Sequence, residues 1–325
     1  MVAPVRPVTP TAVKVRNKEG AFDIQRVLKL GVICIAVVCC ASIVVSKVLF
    51  NGFVYVASKD SSGNINRGVS HAFYKILSSL DKEGEVTCMN YGYMDLSRNA
   101  ETIPLQAADE PERYCLQMYH KISSAAGDLT GKHVLEVGSG RGGGSSYTAR
   151  YLHPSSMTGV DYTGIAVDFS NEKHAKTVPG LRYVQGDAQK LPFGDQDFDV
   201  VINVESSHCY KQFPDFVNEV YRVLKPGGKF SWVDLRDNEE GALKFVDETM
   251  KNAGFTQIFS QDVTDNVVAA MTKTGEQKMA LIDRRVPRFA RHIFYSFAGV
   301  QGTLLYEGLA KRNIVYTHKL LEKPL

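Results

Sequence analysis

An acid and five glycines fall within nine residues at Glu136-Val137-Gly138-Ser139-Gly140-Arg141-Gly142-Gly143-Gly144, directly behind the apolar stretch HVLEV. Glycines in such a turn adopt positive φ and leave bare backbone N–H groups against which a ligand can press. Gly138, Gly140 and Gly143 also satisfy the G-x-G-x-x-G spacing, so this run by itself fits a dinucleotide as well as another adenosine-bearing ligand. Two further acids narrow the choice. Asp161 in GVDYT can accept hydrogen bonds from both hydroxyls of a ribose, and Asp187 in QGDAQKLPF can accept from an adenine amino group. Glu136 would face a cationic end of the ligand or order the glycine loop. A last cluster, Glu205, Ser206 and His208 in VESSHCY, offers bases. His208 is the preferred one, because an unperturbed imidazole titrates near pH ~6.5, and Glu205 instead can hold the ligand or the loop. Taken singly, Asp161 reads equally as a helix cap and His208 as a packed side chain. Jointly, three acids and a glycine loop on successive strand ends read as a site. Asp199 in FDVV reads as a structural turn acid.

For these residues to converge, they must stand at the carboxyl ends of neighbouring strands in an open sheet. Short apolar runs place strands at His133 to Val137, Met157 to Asp161, Leu181 to Gln185, Phe198 to Val204 and Lys229 to Leu235. Between the last two, Phe213, Phe216, Val217, Val220, Tyr221 and Leu224 recur at helical spacing, and Pro226-Gly227-Gly228 is expected to end that helix. This alternation predicts an α/β fold, Rossmann-like, with a mostly parallel sheet covered by helices on both faces. Trp232, alternating with Phe230, belongs to the core. Beyond Gly241 the pattern gives a helix to Ala253, a strand near Phe255 to Val263 and a final strand in NIVYTHKLLEKP.

Composition removes several function classes. The chain has 325 residues, 44% hydrophobic and 22% charged, with a net charge of +3. That is ordinary globular composition, and neither the small net charge nor any basic run suggests a nucleic-acid groove. A small-molecule substrate fits better. Cys34, Cys39 and Cys40 lie in one apolar stretch, and Cys88, Cys115 and Cys209 are scattered without C-x-x-C spacing, so neither a disulfide framework nor a metal site is expected.

The series VLEVGSGRGGG, GVDYT, GDAQKLPF, FDVVINVESSHCY and VLKPGGKF resembles the successive motifs of class I, type-11-like S-adenosylmethionine-dependent methyltransferases. The resemblance runs from about Asn90 to Leu325. Within that superfamily, NYGYMDL, EPERY, the triple glycine and ESSHCY resemble phthiotriolone-type polyketide or lipid O-methyltransferases. It implies a seven-stranded sheet whose last strand is antiparallel, S-adenosylmethionine held by Gly138, Gly140, Asp161 and Asp187 with Ala188 beside the adenine, and transfer to a lipophilic small molecule, on oxygen. Tyr91, Tyr93 and Tyr119 stand where such enzymes carry a lid. N- or C-methylation of a lipid or sterol-like acceptor, a cofactor-binding membrane scaffold without turnover, and a nicotinamide-dependent dehydrogenase are the alternatives. The dehydrogenase rests on the glycine spacing alone.

Leu30 to Ser46 carries no charge and is bounded by Lys29 and Lys47. As a helix it would reach roughly 26 Å, enough for a single-pass membrane anchor whose flanking lysines extend to the headgroups. The expected organisation is a basic disordered tail at 1–29, an anchor at 30–50, a helical connector and lid at 51–131, and the methyltransferase domain at 132–325. An endomembrane is the expected location. The more basic N-terminal flank places the domain across the membrane from the cytoplasm, whereas cytosolic synthesis of S-adenosylmethionine places it on the cytoplasmic side. The sequence does not specify an oligomeric state. Arg284, Arg285, Arg288 and Arg291, interleaved with Ile282, Phe289, Ile293 and Phe294, read either as a basic amphipathic cap lying on a membrane or as a solvated face, with Pro287 interrupting.

Overall fold

The computed structural model describes residues 75–325 apart from 77, 78, 82, 83, 99 and 101. The expected tail, the expected anchor and the connector up to residue 74 lie outside the described residues. Among the described residues, no helix is long and apolar enough to cross a membrane.

The first five strands of the described chain are β1 (His133–Val137), β2 (Ser156–Asp161), β3 (Leu181–Gln185), β4 (Phe198–Val204) and the longer β5 (Leu224–Asp237). They are parallel, and β7 (Ile314–Glu322) pairs antiparallel with both β5 and β6 (Thr256–Asp262). The sheet order β3-β2-β1-β4-β5-β7-β6 makes seven strands, as the motif series implied. Helices α1 (Arg113–Ala125), α2 (Gly143–Leu152), α3 (Gly164–Ser170), α4 (Phe213–Val223), α5 (Glu240–Asn252), α6 (Thr264–Arg285), α7 (Arg291–Phe297) and α8 (Leu304–Ala310) complete the described chain.

Period-two alternation sends successive residues of each strand to opposite faces. Val134, Val200 and Ile202 pack with Leu116, Met118 and Ile122 of α1, while Leu135, Val137 and Val201 pack with Phe216, Val217 and Val220 of α4. Both faces are therefore apolar, which is why the parallel strands read as nearly continuous hydrophobic runs. Trp232 is fully buried, as expected. One element differs from expectation. α4 stops at Val223 and Leu224 already pairs with Phe198, so β5 starts five residues early and carries Pro226-Gly227-Gly228 as an irregularity in its pairing. Gly227, at φ +73°, turns its N–H to the Lys323 carbonyl at 2.8 Å, so neighbouring β7 holds the irregular start of β5 in place.

Because β1 is flanked by β2 on one side and β4 on the other, the winding reverses there and opens a crevice beyond the carboxyl ends of these strands.

Candidate active site

The crevice is floored by the glycine turn. Gly138 and Gly140 have φ of +79° and +51°, the region open to glycine, and both line the cavity. A Cβ on Gly138 would lie 2.3 Å from Ser206 Oγ, so this glycine also makes room for a protein side chain. Asn203 sets that side chain, donating from Nδ2 to the Val137 carbonyl (2.8 Å) and to Ser206 Oγ (2.7 Å). The triple glycine works in the same way. A Cβ on Gly143 would strike Thr87 and Cys88, and one on Gly144 would lie 1.9 Å from the Tyr119 ring. The Gly143 N–H donates to the Thr87 carbonyl at 3.1 Å. The start of α2, where a dinucleotide's pyrophosphate would sit, is thus covered by the chain itself, which argues against the dehydrogenase alternative.

Asp161, at the end of β2, lines the cavity; Oδ2 accepts from Gly140 N at 2.9 Å and Oδ1 from Thr163 N at 2.8 Å. It therefore fixes the glycine turn as well as facing the site, and each oxygen keeps a second lone pair. Burial raises its pKa. Asp187 and Ala188 line the same cavity, with Asp187 Oδ1 accepting from Gln189 N at 3.0 Å. Glu136 is placed otherwise. On β1 it points to the α1 and α2 face, accepting from Tyr119 Oη at 2.8 Å and from Ser145 Oγ, and it does not line the cavity. Fully buried, it is pushed up to about pH 7 by desolvation. Of the two roles read for it, ordering the glycine helix is the one its contacts match. Asp199 accepts from His133 N at 2.8 Å and pairs with Lys225, the structural role expected of it.

A strap of residues 84–98, without helix or strand, crosses the crevice and contributes Thr87, Met89, Asn90 and Tyr91 to its wall. Its fastening is polar. Glu112 accepts from Thr87 N at 2.7 Å, Cys88 N at 2.9 Å and Thr87 Oγ1, and Glu205 Oε1 accepts from Tyr91 N at 2.8 Å. At its root, buried Asp81 pairs with Arg141 of the glycine turn (2.8 Å) and with Arg285 of α6 (2.7 Å). Tyr91 and Tyr119 line the cavity, as expected of a lid, whereas Tyr93 is buried elsewhere. Among the described residues, the connector is helical at 75–76 and 79–80 and again over Arg113–Ala125, which follows a 3-10 turn at Glu110–Glu112.

The base end comes from β4 and β5. Glu205 sits at φ +48°, a conformation costing a non-glycine residue about 1 kcal/mol or more, and this aims its carboxylate at the strap. Burial pushes its pKa up to about 7. His208 lies on a 3-10 turn (Ser207–Cys209) with Nδ1 2.7 Å from Asp234 Oδ1. Asp234 Oδ2 also accepts from His208 N at 2.9 Å and from Ser207 Oγ at 2.6 Å, so one buried carboxylate fixes both the turn and the ring. Burial would raise the Asp234 pKa, but His208 and Arg236 outweigh it and hold the carboxyl far below its usual range. For His208, burial opposes the charge, yet Cys209 and Asp234 hold its pKa well above that of a free imidazole. His208 and Glu205 both line the cavity. Among the described residues no cluster could hold a metal ion.

Asp234, Glu112, Asp81 and Asn203 were not singled out by sequence. Asp234 carried a usable signal, since WVDLRD puts an acid near the end of strand five just as GVDYT does for strand two. Asp81 carried none.

The geometry fits S-adenosylmethionine: a glycine turn for its backbone-bound portion, acids at two adjacent strand ends, and apolar Ala188 beside the second of them on the cavity wall. Comparison with known proteins agrees. A methyltransferase-domain family (type 11) matches residues 135–232. The phthiotriol/phenolphthiotriol dimycocerosates methyltransferase of Mycobacterium leprae is 36% identical over 258 residues, covering 79% of this chain and 93% of that one. The fatty-acid O-methyltransferase of Mycolicibacterium smegmatis is 36% identical over 251 residues, covering 77% and 88%. Among solved structures, the cyclase SpnF superposes with a TM-score of 0.63 at 18% identity over 79% of this chain and 95% of that one, which shows the fold. The chain belongs to the class I S-adenosylmethionine-dependent methyltransferases, in the family of the phthiotriol/phenolphthiotriol dimycocerosates methyltransferases.

Proposed function

We propose that this enzyme methylates an oxygen of a lipophilic acceptor, with His208 as the general base. The observation that carries the reading is the His208–Asp234 pair at 2.7 Å, set in the same cavity as the glycine turn. When bound, S-adenosylmethionine supplies a methyl carbon on a cationic sulfur, and the thioether left behind keeps the electron pair of the broken bond. Asp161 would accept from the cofactor's ribose hydroxyls and Asp187 from its adenine amino group, with Ala188 beside the ring. The strap residues Met89 and Tyr91 exclude water and hold the acceptor in line, which is most of what an in-line displacement asks of a protein. A hydroxyl forming a bond to the methyl carbon must lose its proton. His208 Nε2 takes it, because Asp234 occupies Nδ1 and stabilises the imidazolium that results. An amine brings its own lone pair and needs no such pair, which favours oxygen. The names of the relatives, a phthiotriol methyltransferase and a fatty-acid O-methyltransferase, support a lipophilic acceptor.

The apolar run Leu30 to Ser46 supports tethering at an endomembrane, which would concentrate the enzyme where such acceptors dissolve. Incubation with methyl-labelled cofactor and a lipid extract tests the reading. Label in an ether or ester product is expected, and label confined to nitrogen would overturn it.

A further inference from the structure

Pro287 ends α6 by forcing Val286 into an extended conformation, and the turn that follows exposes Arg288 and Phe289, Phe289 to 88%. Burying a phenylalanine is worth roughly 2 kcal/mol, so covering Phe289 would contribute that much to docking. Half-buried Ile293, Phe294 and Phe297 follow on α7. Phe297 is also part of the cavity wall, and its carbonyl accepts from the Tyr91 hydroxyl at 3.2 Å. One short helix therefore leads from the exposed tip to the acceptor end of the site.

The surroundings indicate what covers the tip. Between Arg284 and His292 there are four arginines and a histidine with no acid. Arg285 is neutralised by Asp81, Arg291 by Asp283 and Arg284 by Glu85, so the outward positive charge of the tip is that of exposed Arg288. Asp81 and Glu85 are held at this corner by Arg285 and Arg284. An exposed aromatic beside an exposed cation is the pairing by which a surface binds anionic lipid.

We propose that the α6–α7 tip, Arg288 and Phe289 with the outer side of α7, docks on an anionic bilayer and passes a bilayer-borne acceptor along Phe297 into the cavity. This deepens the reading of a lipophilic acceptor and rests on it for the second step.

The test uses the full chain carrying Phe289→Trp with vesicles of brominated phosphatidylcholine and phosphatidylglycerol. The native Trp232, 1% exposed inside the sheet, stays a constant background. Quenching and a blue shift of the introduced indole, weaker when phosphatidylglycerol is omitted, are expected; emission indifferent to the vesicles overturns the docking. In a second arm, Phe289→Asp and Arg288→Glu should each lower kcat/KM about tenfold for an acceptor presented in vesicles, equivalent to roughly 1.4 kcal/mol, and leave a soluble short-chain version within about twofold. Equal losses on both acceptors, or none on the vesicle-borne one, contradict the proposal. Quenching without methylation of either acceptor would instead remove the acceptor reading and leave the docking standing.

Discussion

Nδ1 of His208 lies 2.7 Å from Oδ1 of Asp234, a carboxylate with no exposed surface. The pair has two consequences that can be separated. Replacing His208 by Gln should lower kcat about a hundredfold or more, the usual weight of a general base, while leaving the dissociation constant of S-adenosylhomocysteine unchanged. Calorimetry with the product and steady-state turnover measure the two independently. A matching loss of affinity would reassign His208 to cofactor binding.

The second consequence is a pH profile. Because His208 is held in its charged form by Cys209 and Asp234, against burial, the neutral base is scarce at low pH, and kcat should rise with pH through an inflection above ~6.5. In Asp234→Asn the imidazolium loses its counter-charge. The inflection should move to lower pH even as the maximal rate falls, because the ring is also less well oriented. An inflection that stays in place would show that another group titrates.

Glu112 grips the strap through the Thr87 and Cys88 N–H groups without touching the cavity. Glu112→Ala should raise KM for S-adenosylmethionine about tenfold and change kcat less than about threefold, since an unfastened wall weakens binding more than chemistry. Glu112→Gln keeps one acceptor oxygen and should recover most of the loss. A KM unaffected by either change contradicts the clamp.

Buried Glu136 gives a stability signature. Its folded pKa of about 7 lies above the unfolded value of about 4.3, so the folded state is favoured at low pH and loses ground as pH rises through that window, by about 4 kcal/mol in all. The melting temperature of wild type should therefore fall between about pH 4.5 and 7 more steeply than that of Glu136→Gln, which cannot ionise. Parallel curves would mean that Glu136 is ionised throughout.

The strands that carry the site were legible because each is a short apolar run ending in a glycine or an acid: β3 and β4 were placed to the residue, and β1 as well. Gly138, Gly140, Asp161, Asp187 and Ala188 converge because strand ends in such a sheet have nowhere else to go. β5 was misplaced at its start because Pro226-Gly227-Gly228 signals a break, while pairing of Leu224 with Phe198 and of Gly227 with Lys323 overrides it. Glu136 has the sequence position of a ligand contact but is buried beneath α1 and α2, where Tyr119 and Ser145 donate to it and keep it off the cavity wall. No local pattern reveals that Asp234 meets His208, 26 residues earlier, or that Glu112 meets Thr87, because both contacts depend on how distant segments pack. Three of the four arginines near Pro287 turn out to be engaged in ion pairs with Asp81, Glu85 and Asp283, partners remote or unremarkable in sequence.

The central claim is base-assisted methyl transfer from S-adenosylmethionine to an oxygen of a lipophilic acceptor. Its most direct test is single-turnover transfer from methyl-labelled cofactor to a fatty acid and to a long-chain diol, comparing wild type with His208→Gln across pH. The account predicts label on oxygen, with hydroxyl methylation rising with pH in wild type and lost in the variant. Undiminished hydroxyl methylation by His208→Gln, or label on carbon or nitrogen, would contradict it.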